Sequence, residues 1–162
     1  MEELILKEFE KQNSKAGQIL MLKNLNFGLY QRLTPKQQDG FQDAINNLID
    51  SGLIRYEDAS SGPECLRLTD LGFSRLYSGS KTQEQIERLV LKEFEKQKSR
   101  AGDIIMLKNL NFGLFQSLNP KESELFEPAL NSLIDKGLIT YEGERTGVEC
   151  IRLTEQGYDN LY

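Results

Sequence analysis

Residues 1–77 align with residues 86–162 at a constant offset of 85, without a gap, and 46 of the 77 positions are identical. No other feature constrains the fold as strongly, because whatever one copy forms the other must form as well. Leu6 to Gln12 recurs as Leu91 to Gln97, and Met21 to Leu29 (MLKNLNFGL) recurs unchanged as Met106 to Leu114. Two copies are too few, and each too long, for a solenoid. Each is long enough to bury a small core of its own. The pattern is that of a tandem duplication, with domains at 1–77 and 86–162 and a junction at 78–85. Fully extended, that junction spans at most about 28 Å, so the two domains are expected to be neighbours.

Composition narrows the function. At 38% hydrophobic and 28% charged, the 162-residue chain has the make-up of a soluble globular protein. Its longest aliphatic runs, Ile19 to Leu22 and Ile104 to Leu107, are far shorter than the roughly 20 residues of a spanning helix. The N-terminus carries charge where a signal peptide has its apolar region, which gives a cytoplasmic expectation. The chain has no histidine, which removes Ser-His and Cys-His nucleophiles and every zinc site that uses imidazole. Two cysteines form no disulfide framework. With no phosphate-binding glycine loop, CxxC pair or metal-spaced carboxylates, the expectation is a non-enzymatic protein without cofactor or metal. A net charge of −5 repels phosphate backbones and acidic membranes.

Within each copy the apolar periods predict helix, short strand, helix, helix, hairpin, helix. Thr82-x-x-Gln85 caps the first helix of the second copy, whose face is Ile86, Leu89, Val90 and Phe94. Gln18 to Leu22 reads as a short strand, and Leu22, Leu25, Leu29 and Leu33 as a helical stripe. Thr34-Pro35-Lys36-Gln37 and Asn119-Pro120-Lys121-Glu122 each combine a capping residue, proline at the first helical position and Gln or Glu three residues on. Phe41, Ile45, Leu48 and Ile49 supply the face of the helix that follows, ending at Gly52. In the second copy Pro128 is expected to kink or split that helix near Glu127. Leu53 to Glu57 and Glu64 to Thr69 form the hairpin, and Thr69 and Thr154 cap a last short helix.

The phrases Leu48-Ile-Asp-Ser-Gly-Leu-Ile54 with Leu68-Thr-Asp-Leu-Gly72, and Leu133-Ile-Asp-Lys-Gly-Leu-Ile139 with Leu153-Thr-Glu-Gln-Gly157, resemble the end of the recognition helix and the wing of MarR- and PadR-like bacterial regulators. The resemblance covers roughly the last 40 residues of each copy. It implies an α+β, mostly helical fold of two tandem winged-helix domains. Residues 35–51 and 120–136 would be recognition helices, and 58–63 and 143–148 wing tips. The function it implies is a transcriptional regulator acting as a single-chain pseudo-dimer, a monomer with pseudo-two-fold domains. The alternative is an acidic winged-helix protein-interaction module without DNA binding.

Candidate nucleic-acid contacts are Lys36, Gln37, Gln38 and Gln42 in the first copy and Lys121 and Arg145 in the second. Each recognition helix is net −2, so duplex affinity is expected to be weak. The lysines at 7, 11, 92 and 96 interleave with glutamates, which predicts a salt-bridged outer face. Cys65 and Cys150 are expected to be structural. Phe27, Tyr30, Phe112 and Phe115 are expected to fill the core beneath the second helix, the alternative being an exposed aromatic partner site.

Overall fold

Helix α1 (Glu2–Lys11) turns Ile5, Leu6 and Phe9 to one side, and on that stripe the first unit assembles its core. The computed structural model describes residues 1–58, 60, 62–143 and 147–162. It divides into two units, Met1–Gly79 and Ser80–Tyr162. After α1 come β1 (Ile19–Met21), α2 (Leu22–Gly28), a single 3-10 turn (Tyr30–Arg32), α3 (Pro35–Asp39) and α4 (Phe41–Asp50). A hairpin of β2 (Ile54–Glu57) and β3 (Cys65–Leu68) then leads into α5 (Asp70–Leu76). The second unit repeats the order as α6 (Gln83–Lys96), β4 (Ile104–Met106), α7 (Leu107–Phe112), a 3-10 turn (Phe115–Ser117), α8 (Pro120–Glu124), α9 (Phe126–Asp135), β5 (Ile139–Glu142), β6 (Cys150–Leu153) and α10 (Glu155–Leu161). The class is α+β and mostly helical, with one small antiparallel sheet per unit.

In each sheet the strand that comes last lies in the middle, in the orders β1-β3-β2 and β4-β6-β5. Leu66 and Leu68 of β3 are fully buried, as is Leu153 of β6. An arginine of the central strand ties the sheet together. The Arg67 Nε donates to Glu57 Oε1 at 2.5 Å and its Nη2 to Oε2 at 2.8 Å, while Nη1 donates to the Gly17 carbonyl ahead of β1. Arg152 makes the same fork to Glu142 and reaches the Gly102 carbonyl.

The paired phrases GLI and LTxxG have a steric origin. Gly52 takes φ +72 where α4 turns into β2, and Gly137 takes φ +69 at the matching point. The Thr69 hydroxyl donates to the Gly52 carbonyl at 2.6 Å and accepts from the Gly72 amide at 3.0 Å, capping α5 against that turn. The approach is so close that a Cβ on Gly72 would lie 2.0 Å from the Leu53 carbonyl oxygen, and one on Gly157 2.0 Å from that of Leu138.

The helix expected over 35–51 is broken between α3 and α4 at Gly40, and the split expected near Glu127 in the second unit falls between α8 and α9 at Leu125. Both break residues have φ near −90° and ψ near 0°. Pro128 is not the cause. It sits in the first turn of α9, where its missing amide hydrogen has no intrahelical acceptor to lose, and the first unit breaks at the same place without a proline. What the two breaks share is the aromatic that follows: Phe41 packs edge-on against Tyr30 and Phe126 against Phe115, each at 5.2 Å.

The units differ at the start of α8. Glu122 is buried there and closes a capping box with Asn119. Ser80 and Lys81, which the repeat alone assigns to the junction, are hydrogen-bonded into this site. The Asn119 Nδ2 donates to Ser80 Oγ at 2.9 Å, the Lys81 amide donates to Glu122 Oε1 at 2.9 Å, and the Lys81 ammonium reaches the same oxygen at 3.0 Å. Burial works to raise the Glu122 carboxyl, but the hydrogen bonds from Lys81 and Asn119 outweigh it and hold its pKa below the ordinary value. The matching residue of the first unit, Gln37, makes its box without charge.

Two outcomes are expected in thermal unfolding. Gly72→Ala or Gly157→Ala lowers stability by about 3 kcal/mol, the upper end for overpacking. Gly28→Ala, where the added methyl meets nothing within 4 Å, is neutral or stabilising by about 0.5 to 1 kcal/mol. The second outcome depends on pH. Because the Glu122 pKa is depressed on folding, its contribution is complete above the unfolded carboxyl value of about 4.3 and is lost as pH falls through the folded value. The melting temperature of Glu122→Gln therefore lies below that of the parent at neutral pH, and the gap closes on acidification. A gap independent of pH would contradict this assignment.

Candidate functional site

The residues nominated for nucleic acid do not converge on one array. Lys36 is exposed on α3, but the Gln37 Oε1 accepts the Thr34 backbone amide at 2.9 Å and is consumed by the capping box. The Gln38 Nε2 donates to the Tyr30 carbonyl at 3.1 Å, which fixes α3 to the 3-10 turn, and the Gln42 Nε2 donates to Asn46 Oδ1 at 3.3 Å. Lys121 is half-buried at the start of α8. Arg145 lies outside the described residues. On the outer faces of α1 and α6, Lys11 pairs with Glu8 and Lys96 with Glu93, each at 2.5 Å, as the interleaved charges predict.

The aromatic expectation is overturned at three positions. Phe27 is 74% exposed, Phe112 73% and Phe115 36%, so none of them fills a core, and Tyr30 alone packs half-buried against one. The reason is geometric. Leu22, Leu25 and Leu29 form the inward stripe of α2, with Leu25 and Leu29 buried, and Phe27 is rotated about 140 to 200° from the first two. Lys23, Asn24 and Asn26 share its exposure. In α7 the set Lys108, Asn109, Asn111 and Phe112 is likewise exposed over a buried Leu110. Sequence reasoning could have found this by following the period of the second helix, which excludes Phe27.

All four exposed positions of this face are identical in the two repeats. Those of α3 and α4 are mixed: Pro35, Lys36, Asn46 and Asp50 recur, whereas Gln37, Gln38, Asp39, Gln42 and Asp43 stand opposite Glu122, Ser123, Glu124, Glu127 and Pro128.

Beside Phe27 a cleft of about 650 Å³ opens between α2, the 3-10 turn and α3–α4. Leu22, Tyr30, Phe41 and Ile45 form its apolar lining, and Asn26, Gln31, Gln38 and Gln42 bring carboxamides to it. Glu64, just ahead of β3, is the only charged side chain among the described residues lining it. The Tyr56 hydroxyl donates to Glu64 Oε1 at 3.0 Å. In the second unit a cleft of about 510 Å³ is lined by Met106, Lys108, Gly143, Gly147, Val148 and Glu149.

Other groups with chemical potential are held in the structure. Cys65 and Cys150 are buried free thiols, and burial together with the Glu57 carboxylate, which the Cys65 Sγ approaches at 3.5 Å, pushes the Cys65 thiol above its ordinary value. That disfavours the reactive thiolate. Among the described residues no group of three or more His, Cys, Asp or Glu side chains is placed to hold a metal ion, and no helix is long and apolar enough to cross a membrane. No family model, curated protein or solved structure matches the chain.

Stability measurements check the exposed face. Phe27→Ala and Phe112→Ala should each change stability by less than about 0.5 kcal/mol, the range for surface substitutions. Phe41→Ala should cost about 3 to 5 kcal/mol. A large loss from Phe27→Ala would return that ring to the core.

Proposed function

We propose that the chain is a non-enzymatic protein-interaction module made of two winged-helix domains, and that it docks a folded protein partner through α2 and α7. The fold reading rests on the element order and on β3 and β6 as central strands, with β2–β3 and β5–β6 as wings. One observation carries the function: an exposed phenylalanine, ringed by amide side chains and one lysine, stands at the same place in both units. An aromatic anchor inside a polar rim of low charge is the anatomy of a protein interface. Two such faces on one chain would bind a partner with two equivalent sites far more tightly than either face alone.

DNA reading is the weaker account. The span 35–50 carries Lys36 against Asp39, Asp43 and Asp50, and phosphate rows repel such a helix. Two of its nominated readers, Gln37 and Gln38, already bond to backbone.

The test places a photo-crosslinking amino acid at position 27, at position 112, or at the exposed Ser74 of α5 as control, in extract of the native cell. The same protein captured at 27 and 112, and not at 74, supports the proposal. Capture that does not distinguish 74 from the other two overturns it. So does nanomolar, sequence-selective duplex binding by the full chain at physiological salt.

A further inference from the structure

We infer that the cleft beside Phe27 takes an extended segment of the partner protein, one in which an apolar side chain adjoins a lysine or arginine. The inference rests on α2 being the docking face and adds the chemistry of what enters next to it. Three properties of the cleft set that chemistry.

Its lining brings apolar surface together in Leu22, Phe41 and Ile45, the last two almost fully buried, with Tyr30 edge-on to Phe41. An apolar side chain loses its water there, and about 650 Å³ is room for a short segment. The carboxamides of Asn26, Gln31 and Gln42 each present an acceptor oxygen and a donor nitrogen. That matches the alternating amide and carbonyl groups of an extended main chain.

Charge decides the sign of what adjoins the apolar residue. Glu64 contributes a carboxylate, no Lys or Arg occurs among the described lining residues, and Lys23 and Lys36 lie outside the lining. The exposed chain neighbours of the lining balance, with Asp39 and Asp43 beside Gln38 and Gln42 and Lys23 and Arg32 beside Leu22 and Gln31, so the sign inside the cleft is set by Glu64. An acidic peptide or a nucleic-acid strand would set its negative charge against this carboxylate, whereas a basic residue completes an ion pair with Glu64. The second repeat carries Glu127 where the first has Gln42. The same substitution in the first repeat should therefore strengthen the preference.

The experiment uses the full chain and fluorescence anisotropy. The probes are short labelled peptides with a central leucine flanked by lysine, by serine or by glutamate, together with a labelled oligouridine. Position 42 is exposed, so Gln42→Lys and Gln42→Glu alter the charge at the cleft without disturbing the core. The lysine-flanked peptide should bind best. Gln42→Lys should weaken it about two- to fivefold and Gln42→Glu should strengthen it by a similar factor, the range for exposed ion pairs. Phe27→Ala, with unchanged melting, should weaken it further. Equal binding of all three peptides, tightest binding of the oligouridine, or insensitivity to both changes at position 42 would each overturn the inference. None of these results touches the docking of α2 itself, which the crosslinks at 27 and 112 test separately.

Discussion

Each sheet is closed by the strand that arrives last in the chain. Until β3 is in place, β1 and β2 have no partner, because both pair with β3 and not with each other. Its four residues satisfy two neighbours at once and bring Cys65, Leu66 and Leu68 into the interior. The C-terminal half of the strand is then secured by two kinds of chemistry. Arg67 binds the hairpin carboxylate and the loop ahead of β1, so the edge strands are linked through one side chain. Thr69 and Gly72 set α5 directly on the turn between α4 and β2, where there is space for a backbone and nothing more. Local bonds alone would not hold strands of three and four residues. Burial of the central strand does.

Much of this was legible because it is local. A capping residue, a proline and an acceptor three positions on specify a helix start whatever surrounds them, and the boxes at Thr34, Thr82 and Asn119 all form. Gly52 and Thr69 are legible for the same reason. The break between α3 and α4 was not, since Gly40 and Leu125 share no propensity and what the two breaks have in common is a tertiary contact, a ring at 41 or 126 meeting one at 30 or 115. Pro128 was a misleading signal, because a proline's effect depends on its place in the helix. The exposure of Phe27 is in the sequence too, because the period set by Leu22, Leu25 and Leu29 places it on the opposite side of α2, although an aromatic ring by itself argues for the core. The burial of Glu122 depends on Lys81, 41 residues away in sequence, and no local pattern announces it.

The distribution of differences between the repeats bears on the proposed interface. Positions that face the core can drift within apolar limits, as Ile5 and Val90 or Leu66 and Ile151 do. Solvated positions have no such limits, and on α3 and α4 some have diverged in charge and size while Lys36, Asn46 and Asp50 recur. The exposed Lys7, Glu10 and Lys11 of α1 also recur in α6, so what sets α2 and α7 apart is the exposed aromatic that each carries at the same place.

The similarity of the repeats also has a cost for folding. Ile19-Leu20-Met21 and Ile104-Ile105-Met106 differ at one residue, and so do Cys65 to Leu68 and Cys150 to Leu153. A chain collapsing from the unfolded state can therefore join an edge strand of one repeat to the central strand of the other with nearly native hydrogen bonds and side-chain register. Such swapped pairings are the characteristic error of repeat proteins, and they compete best when both copies are unfolded together. Synthesis from the N-terminus separates the two events in time: the first copy can complete its sheet before Cys150 to Leu153 has been made. Vectorial production thus protects this chain from a trap that refolding from denaturant exposes.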